Sequence, residues 1–258
     1  MGKIISIHSF RGGTGKSNST ANIASLLAAD GMRVGIVDTD INSPGIHVLF
    51  GVNEDLVKHS LNDYLWGKCA IKDTAVDVTP LVKNDSANQV PIKGAIYLIP
   101  SSMRVGEIAR IIREGYDVGL LNDGYEQLIA DLNLDVLVID THPGLNEETL
   151  LSVAISDALA VIMRPDQQDY QGTSVTIEVA RKLNVPRMLL IVNKTPQSLD
   201  PDALKKEVGS TYQIPVGAVI PHSDEMMTLA SAGIFALRYP DHEVAQLYKE
   251  VAQLLMAD

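Results

Sequence analysis

Nine consecutive residues near the start of the chain carry its densest chemistry. Ser9-Phe10-Arg11-Gly12-Gly13-Thr14-Gly15-Lys16-Ser17 follows the apolar run Lys3–His8 and leads into a helix-length segment. Glycines 12, 13 and 15 let the backbone fold tightly and turn its N–H groups inward, which suits a cluster of phosphate oxygens. The helix that follows adds its positive N-terminal end. Lys16 would bridge β- and γ-phosphates and the Ser17 hydroxyl would ligate Mg²⁺, with Thr14 and Asn18 completing the loop's contacts. The spacing departs from GxxxxGK[ST], because Phe10 stands where the first glycine would. It also fails GxGxxG, because Asn18 takes the last glycine position. A Lys and a Ser at its end favour a triphosphate over a dinucleotide. The alternative is a glycine turn that holds no ligand.

Acidic residues supply the other half of such chemistry. Asp38 and Asp40 sit at and just past the end of a second apolar run, in Val37-Asp38-Thr39-Asp40. Carboxylates there point into the crevice where open α/β sheets bind ligands. They could instead cap their own loop. Asp135–Asp140 reads DVLVID, an apolar run ending in a carboxylate, the Walker B pattern in which Asp140 holds Mg²⁺ through a water. Asn193-Lys194-Thr195-Pro196 has proline where NKxD would place the aspartate that recognises guanine, so adenine is favoured.

These strings together resemble the ParA/MinD family of ATPases, P-loop NTPases of the SIMIBI class with a deviant Walker A loop, KGGxGK[ST]. The resemblance covers nearly the whole chain. It implies a signature residue at position 11 that reaches across an ATP-sandwich homodimer to the partner's phosphates. Arg11 stands there in place of lysine, keeping the charge and offering a planar fork to phosphate; it could instead bind only its own loop or solvent. The resemblance further implies that Asp40 orients the attacking water and that Asp38 supports the Mg²⁺ shell. Pro44-Gly45 resembles the first switch. Thr141-His142-Pro143-Gly144 resembles the second, with the Gly144 N–H sensing the γ-phosphate. His142 is unusual there and reads as a solvent-facing loop histidine. Asn193 would meet the adenine edge. Pro221-His222-Ser223-Asp224 resembles the adenine loop, with Pro221 and Asp224 as contacts, or it is a plain connection capped by Ser223. The region Arg164–Tyr170 would lie at the dimer interface.

The elements that must position these residues follow from periodicity. Apolar runs at Lys3–His8, Arg33–Val37, Ala95–Ile99, Asp135–Ile139, Ala158–Met163, Met188–Val192 and Pro215–Ile220 lack polar alternation, as strands buried on both faces do. Helical patterns lie between them, at Lys16–Ala29, Met103–Arg113, Gln171–Leu183, from Pro201 onward, and at Glu243–Met256. The alternation predicts a doubly wound, mostly parallel α/β sheet with helices on both faces, as one domain over 1–258. Lys83–Gly94 reads as a mobile surface excursion. The apolar stripe of the last segment reads as a closing helix; a membrane-surface helix would want basic residues, and this one carries Lys249 against Asp241, Glu243, Glu250 and Asp258.

The chain has 258 residues, 21 Lys+Arg against 32 Asp+Glu, a net charge of −11 and one cysteine. One cysteine forms no internal disulfide and no CxxC pair. The iron–sulfur carriers similar to this family need paired cysteines, so the count excludes that branch. The acidic balance disfavours non-specific DNA binding, and the basic stretch Arg181, Lys182, Arg187 and Lys194 reads as a solvated helix face. No segment reads as a membrane anchor. The sequence therefore predicts a cytoplasmic, slow, partner-stimulated ATPase that uses ATP and Mg²⁺, dimerises around the nucleotide, and positions a cargo through an activating or adaptor protein. Two alternatives stand beside it. One is an ATP-dependent ligase or kinase on the same fold, and the other is a module that binds ATP without cleaving it.

Overall fold

The central strands of the sheet bury both of their faces, and that is why their residues are so uniformly apolar. In the computed structural model, which describes residues 2–257, eight strands form one sheet. They are β1 (Lys3–His8), β2 (Arg33–Asp38), β3 (Val76–Asp77), β4 (Ala95–Ile99), β5 (Val136–Asp140), β6 (Ala158–Met163), β7 (Arg187–Thr195) and β8 (Val216–Pro221). Their order is β3-β4-β2-β5-β1-β6-β7-β8, parallel throughout except for β3 against β4. The helix Lys16–Ala29 carries the chain from β1 over to β2, and β5 later fills the place between them. The crossover to β6, β7 and β8 then runs the other way. The reversal opens a crevice at the C-terminal ends of β1, β2 and β5, the place where ligands bind in doubly wound folds.

Successive residues of β1 point to opposite layers. Ile5 and Ile7 pack into a core with the helices Lys16–Ala29 and Glu243–Met256. Ile4 joins a second core with Leu121, Tyr125 and Leu128 of the helix Gly119–Asp131. A third core lies under β6 and β7, where Leu159, Val161 and Leu190 meet Ile177, Leu204 and Val208.

All seven predicted strands are present within a residue or so, except that β7 runs on to Thr195. The extension passes through Lys194 at φ 55°, with a register shift against β8 between Val192 and Thr195. β3 went unpredicted, since two residues carry no periodicity. The helix Gln167–Lys182 starts four residues before its predicted place, because Asp166 caps it by accepting from the N–H groups of Gln168 and Asp169.

The stretch Lys83–Gly94 is not a free excursion. Its first residues finish the helix Thr79–Asn84. Beyond it, the N–H groups of Gln89 and Val90 donate to the Leu237 carbonyl, Arg238 pairs with Asp85 at 2.8 Å, and Ile92 is buried. Backbone hydrogen bonds, an ion pair and the buried Ile92 together pin it. The last helix spans Glu243–Met256 as predicted, and Val244, Tyr248, Val251 and Leu255 are buried on the sheet layer. Asp258, the last of its acidic neighbours, lies outside the described residues.

Candidate nucleotide site

The loop after β1 needs glycine for two physical reasons. Gly13 and Gly15 adopt φ of 79° and 95°, a region that side chains rarely occupy. A Cβ on Gly15 would also lie 2.5 Å from the Asn193 amide nitrogen. Gly15 caps the helix Lys16–Ala29 with no side-chain hydrogen bond, so the first-turn N–H groups are open to an anion. The loop is strapped from below, where Asn193 Nδ2 donates to the Thr14 carbonyl at 2.8 Å and Lys194 Nζ to the Gly13 carbonyl at 2.8 Å.

The strand ladder brings the acids together. Asp38 and Asp140 are register partners at the ends of β2 and β5. Lys16 Nζ sits 2.8 Å from Asp140 Oδ1, both side chains nearly fully buried. Thr20, one helical turn beyond Lys16, donates to the same oxygen at 2.9 Å. Asp38 is fully buried and accepts from the backbone N–H of Asp40 and of Gly45. Burial, and then the neighbouring Asp140, push its carboxyl up to about 8, with Lys16 opposing. Burial also raises Asp40, again against Lys16 and against His142. Among the described residues, Asp140 Oδ2 and Asp40 Oδ1 are buried without a hydrogen-bond partner.

The orphaned Asp140 oxygen fits a hard divalent cation. No group of three His, Cys, Asp or Glu able to hold a metal exists among the described residues. Mg²⁺ needs no such group, because it keeps waters and takes one or two carboxylates together with substrate phosphates. Asp140 and Asp38, register partners at the ends of β5 and β2, are the carboxylates that would share it.

Beside the loop lies a cleft of about 460 Å³, lined by Gly15, Asn18, Asn193, Pro221, Met226 and Met227 among others. It is of a size to take a nucleoside. Asn193 lines it, but its carboxamide is already engaged, with Thr14 and with the Lys194 N–H. Asp224 stays outside, 95 % exposed at the start of its helix, while Ser223 caps that helix by accepting from the Met226 N–H. Gly144 adopts φ 88° and donates its N–H to the Ser9 carbonyl at 3.2 Å. Gly12 is exposed with open space where a Cβ would point.

Arg11 folds onto its own chain. Its Nη1 lies 3.3 Å from Asp166 Oδ1 and 3.1 Å from Asp169 Oδ1, and Arg164 pairs with the same two carboxylates. Phe10 rests on Gly172, where an added Cβ would come within 2.1 Å of its ring. His142 is not solvent-facing as its loop position suggests. Its side chain is 26 % exposed, with Nε2 3.7 Å from Asp40 Oδ1. Of the four basic residues at 181–194, Arg181 donates to the Tyr212 carbonyl and Lys194 to the loop, so these two do not stand free in solvent.

Sequence reasoning missed several partners. Thr20 was findable, four residues after Lys16 and so on the same helix face. His8 was not. It ends β1, is buried, and its Nδ1 meets Thr141 Oγ1 at 2.7 Å; burial and nearby Lys16 push it down to about 3. Glu148 was also missed. It is buried, hydrogen-bonds the Tyr116 hydroxyl, and is raised chiefly by burial.

A glycine loop between β1 and a helix, with a buried lysine facing strand-end carboxylates at the sheet's switch point, defines a P-loop nucleotide-binding protein of the doubly wound class. The chain belongs more narrowly to the ParA/MinD family of P-loop NTPases: a ParA family model, described as NUBPL iron-transfer P-loop NTPase, matches residues 1–256. An uncharacterized ATP-binding protein of Methanocaldococcus jannaschii is 27% identical over 99% of this chain and 88% of its own. An iron-sulfur cluster carrier protein of Pyrococcus furiosus is 30% identical over 73% of this chain, which spans 60% of the carrier's length. The structure of the septum site-determining protein MinD of Pyrococcus horikoshii, complexed with Mg-ADP, superposes with a TM-score of 0.78 at 22% identity, over 99% of this chain and 96% of that one. The iron–sulfur branch that the cysteine count set aside is thus among the relatives.

Proposed function

We propose that this chain, as a single domain, binds ATP with Mg²⁺ in the crevice and hydrolyses it slowly as a dimer-forming switch in the cytoplasm. One observation carries the reading. Lys16, Asp38, Asp40 and Asp140 converge under the glycine loop, with buried carboxylate oxygens left unpartnered. When bound, Mg²⁺ would neutralise charge on the phosphates, and Asp140, Asp38 and Ser17 would hold it. Gly12, Gly13, Thr14, Gly15 and Asn18 would cradle the phosphates and nucleoside, and Lys16 would exchange its Asp140 contact for phosphate oxygens. Asp40 would orient the water. Such catalysis is positioning and electrostatics. Pro221 would border the base, while Asn193 serves it indirectly, by holding the loop. Arg11 would have to leave Asp166 and Asp169 to reach a partner's nucleotide. A protein partner and a positioned cargo remain part of the proposal, as the resemblance implies. Isothermal titration with ATP and Mg²⁺ tests the first step. Micromolar binding that Lys16→Ala abolishes is expected, and no binding would overturn it.

A second reading, iron–sulfur transfer, is favoured by the family description and by the carrier relative. Against it stands Cys69, the single cysteine of the chain, which is unpaired and whose thiol burial pushes up. Two copies would bring two thiolates, half the four that a [4Fe–4S] cluster takes. Reconstitution with iron and sulfide decides. A stable cluster that Cys69→Ser removes would favour transfer over the switch.

A further inference from the structure

We propose that His142 and Asp40 together hold the attacking water between them, each accepting one of its hydrogens. This deepens the ATPase reading and rests on it. His142 replaces nothing that a phosphate needs, yet its ring is turned inward and fixed. Nδ1 lies 2.7 Å from the Pro143 carbonyl oxygen. A carbonyl only accepts, so Nδ1 carries the hydrogen, and in the Nδ1–H tautomer Nε2 presents a lone pair. That lone pair faces Asp40 Oδ1 at 3.7 Å, a separation too long for a direct hydrogen bond. Asp40 Oδ1 is itself buried and, among the described residues, meets no donor.

Two acceptors at this distance, both lacking a donor, match one water. Two hydrogen bonds of about 2.8 Å span the gap, and a water that gives up both hydrogens turns its lone pairs away from the pair. The pair borders the phosphate crevice, because Asp40 and His142 each follow by two residues the register partners Asp38 and Asp140, and Lys16 bonds Asp140.

The frame around the pair is rigid. Asp40 follows β2 and His142 follows β5, neighbouring strands whose last residues are in register. Thr141 Oγ1, adjacent to His142, is held by His8 Nδ1 at 2.7 Å and donates to the Ile7 carbonyl at 3.1 Å. The His142 carbonyl takes the Thr149 hydroxyl at 3.2 Å. In the step itself the water oxygen bonds to the γ-phosphorus. The bond to the β,γ-bridging oxygen breaks, and its electron pair stays on ADP. Both water hydrogens leave on the product dihydrogen phosphate, so neither side chain ends with an extra proton.

The test compares wild type with His142→Ala, His142→Gln, Asp40→Ala and the double variant His142→Ala/Asp40→Ala. It reads single-turnover ATP cleavage, ADP affinity, and affinity for ADP with aluminium fluoride, which mimics the reacting phosphoryl group with its water. His142→Ala is expected to slow cleavage and loosen the aluminium fluoride complex by the same ~10- to 100-fold, with ADP affinity within about twofold. His142→Gln, which keeps an acceptor, recovers part of both. Adding His142→Ala to Asp40→Ala changes neither. The inference falls if His142→Ala cleaves as wild type does, if ADP affinity drops in parallel, or if its effect multiplies that of Asp40→Ala. If wild type binds no ADP and cleaves no ATP, the ATPase reading falls first and takes the pair with it.

Discussion

Three carboxylates share one lysine at the centre of this molecule, and the arrangement is costly while nothing else is bound. Asp38 shows the sign of that cost. Its folded value of about 8 lies above its ordinary 3.8, so the contribution it makes when protonated is complete at low pH and is lost as pH rises toward 8. His8 runs the other way. Held down to about 3, it favours the neutral ring, and its contribution is complete above its ordinary 6.5. Between pH 6.5 and 8 only the decline from Asp38 is left. Thermal melts in chelator without nucleotide should show Tm falling by several degrees across that window. Asp38→Asn should flatten the fall, and a flat wild-type profile would contradict it. Thr20 offers a second check at this scale. Thr20→Val removes the bond that orients Asp140 without changing side-chain volume, so Mg²⁺ affinity in the presence of nucleotide should weaken by roughly 10- to 100-fold. Unchanged Mg²⁺ affinity would remove Thr20 from the site.

Elements carry the loop's position, and Phe10 shows how. A glycine at position 10 would leave the helix Gln167–Lys182 uncovered there, whereas Phe10 lies against Gly172 so closely that no Cβ fits. Gly172→Ala should therefore push Phe10 and the loop aside, costing about 1–3 kcal/mol of stability and reducing nucleotide affinity. Phe10→Ala in the same chain should restore much of the stability, because the clash has two partners. Additive losses in a double-mutant cycle would show that the two sites do not meet. The same helix explains what could be read from the sequence. Lys16, Ser17 and the glycines were legible because their geometry is local: strand, turn and helix start lie within a dozen residues. Asp166 and Asp169 were not legible as the holders of Arg11, since the bonds span 155 and 158 residues of chain. His142 misled for a related reason. A loop histidine is ordinarily solvated, and only the adjacency of β2 and β5 turns this one toward Asp40. The strands were legible because burial on both faces leaves an unbroken apolar run; β3 was too short to leave one.

At the scale of the whole molecule, the sheet order makes one crevice from the ends of strands far apart in sequence, and both switch-like loops border it. The net charge of −11 opposes non-specific contact with nucleic-acid phosphates. Among the described residues no helix is long and apolar enough to cross a membrane. The apolar stripe of the last helix is largely spent on the core. At the rim of the crevice face, Arg11 is tethered by two carboxylates of its own chain. If ATP draws two copies together across that face, mass must double with nucleotide and not without it. Multi-angle light scattering of Asp40→Ala, which should hold ATP uncleaved, measures this directly. The account predicts a monomer with ADP and a dimer with ATP and Mg²⁺, lost again in Arg11→Ala. A single mass of about 28 kDa under every nucleotide condition would contradict it.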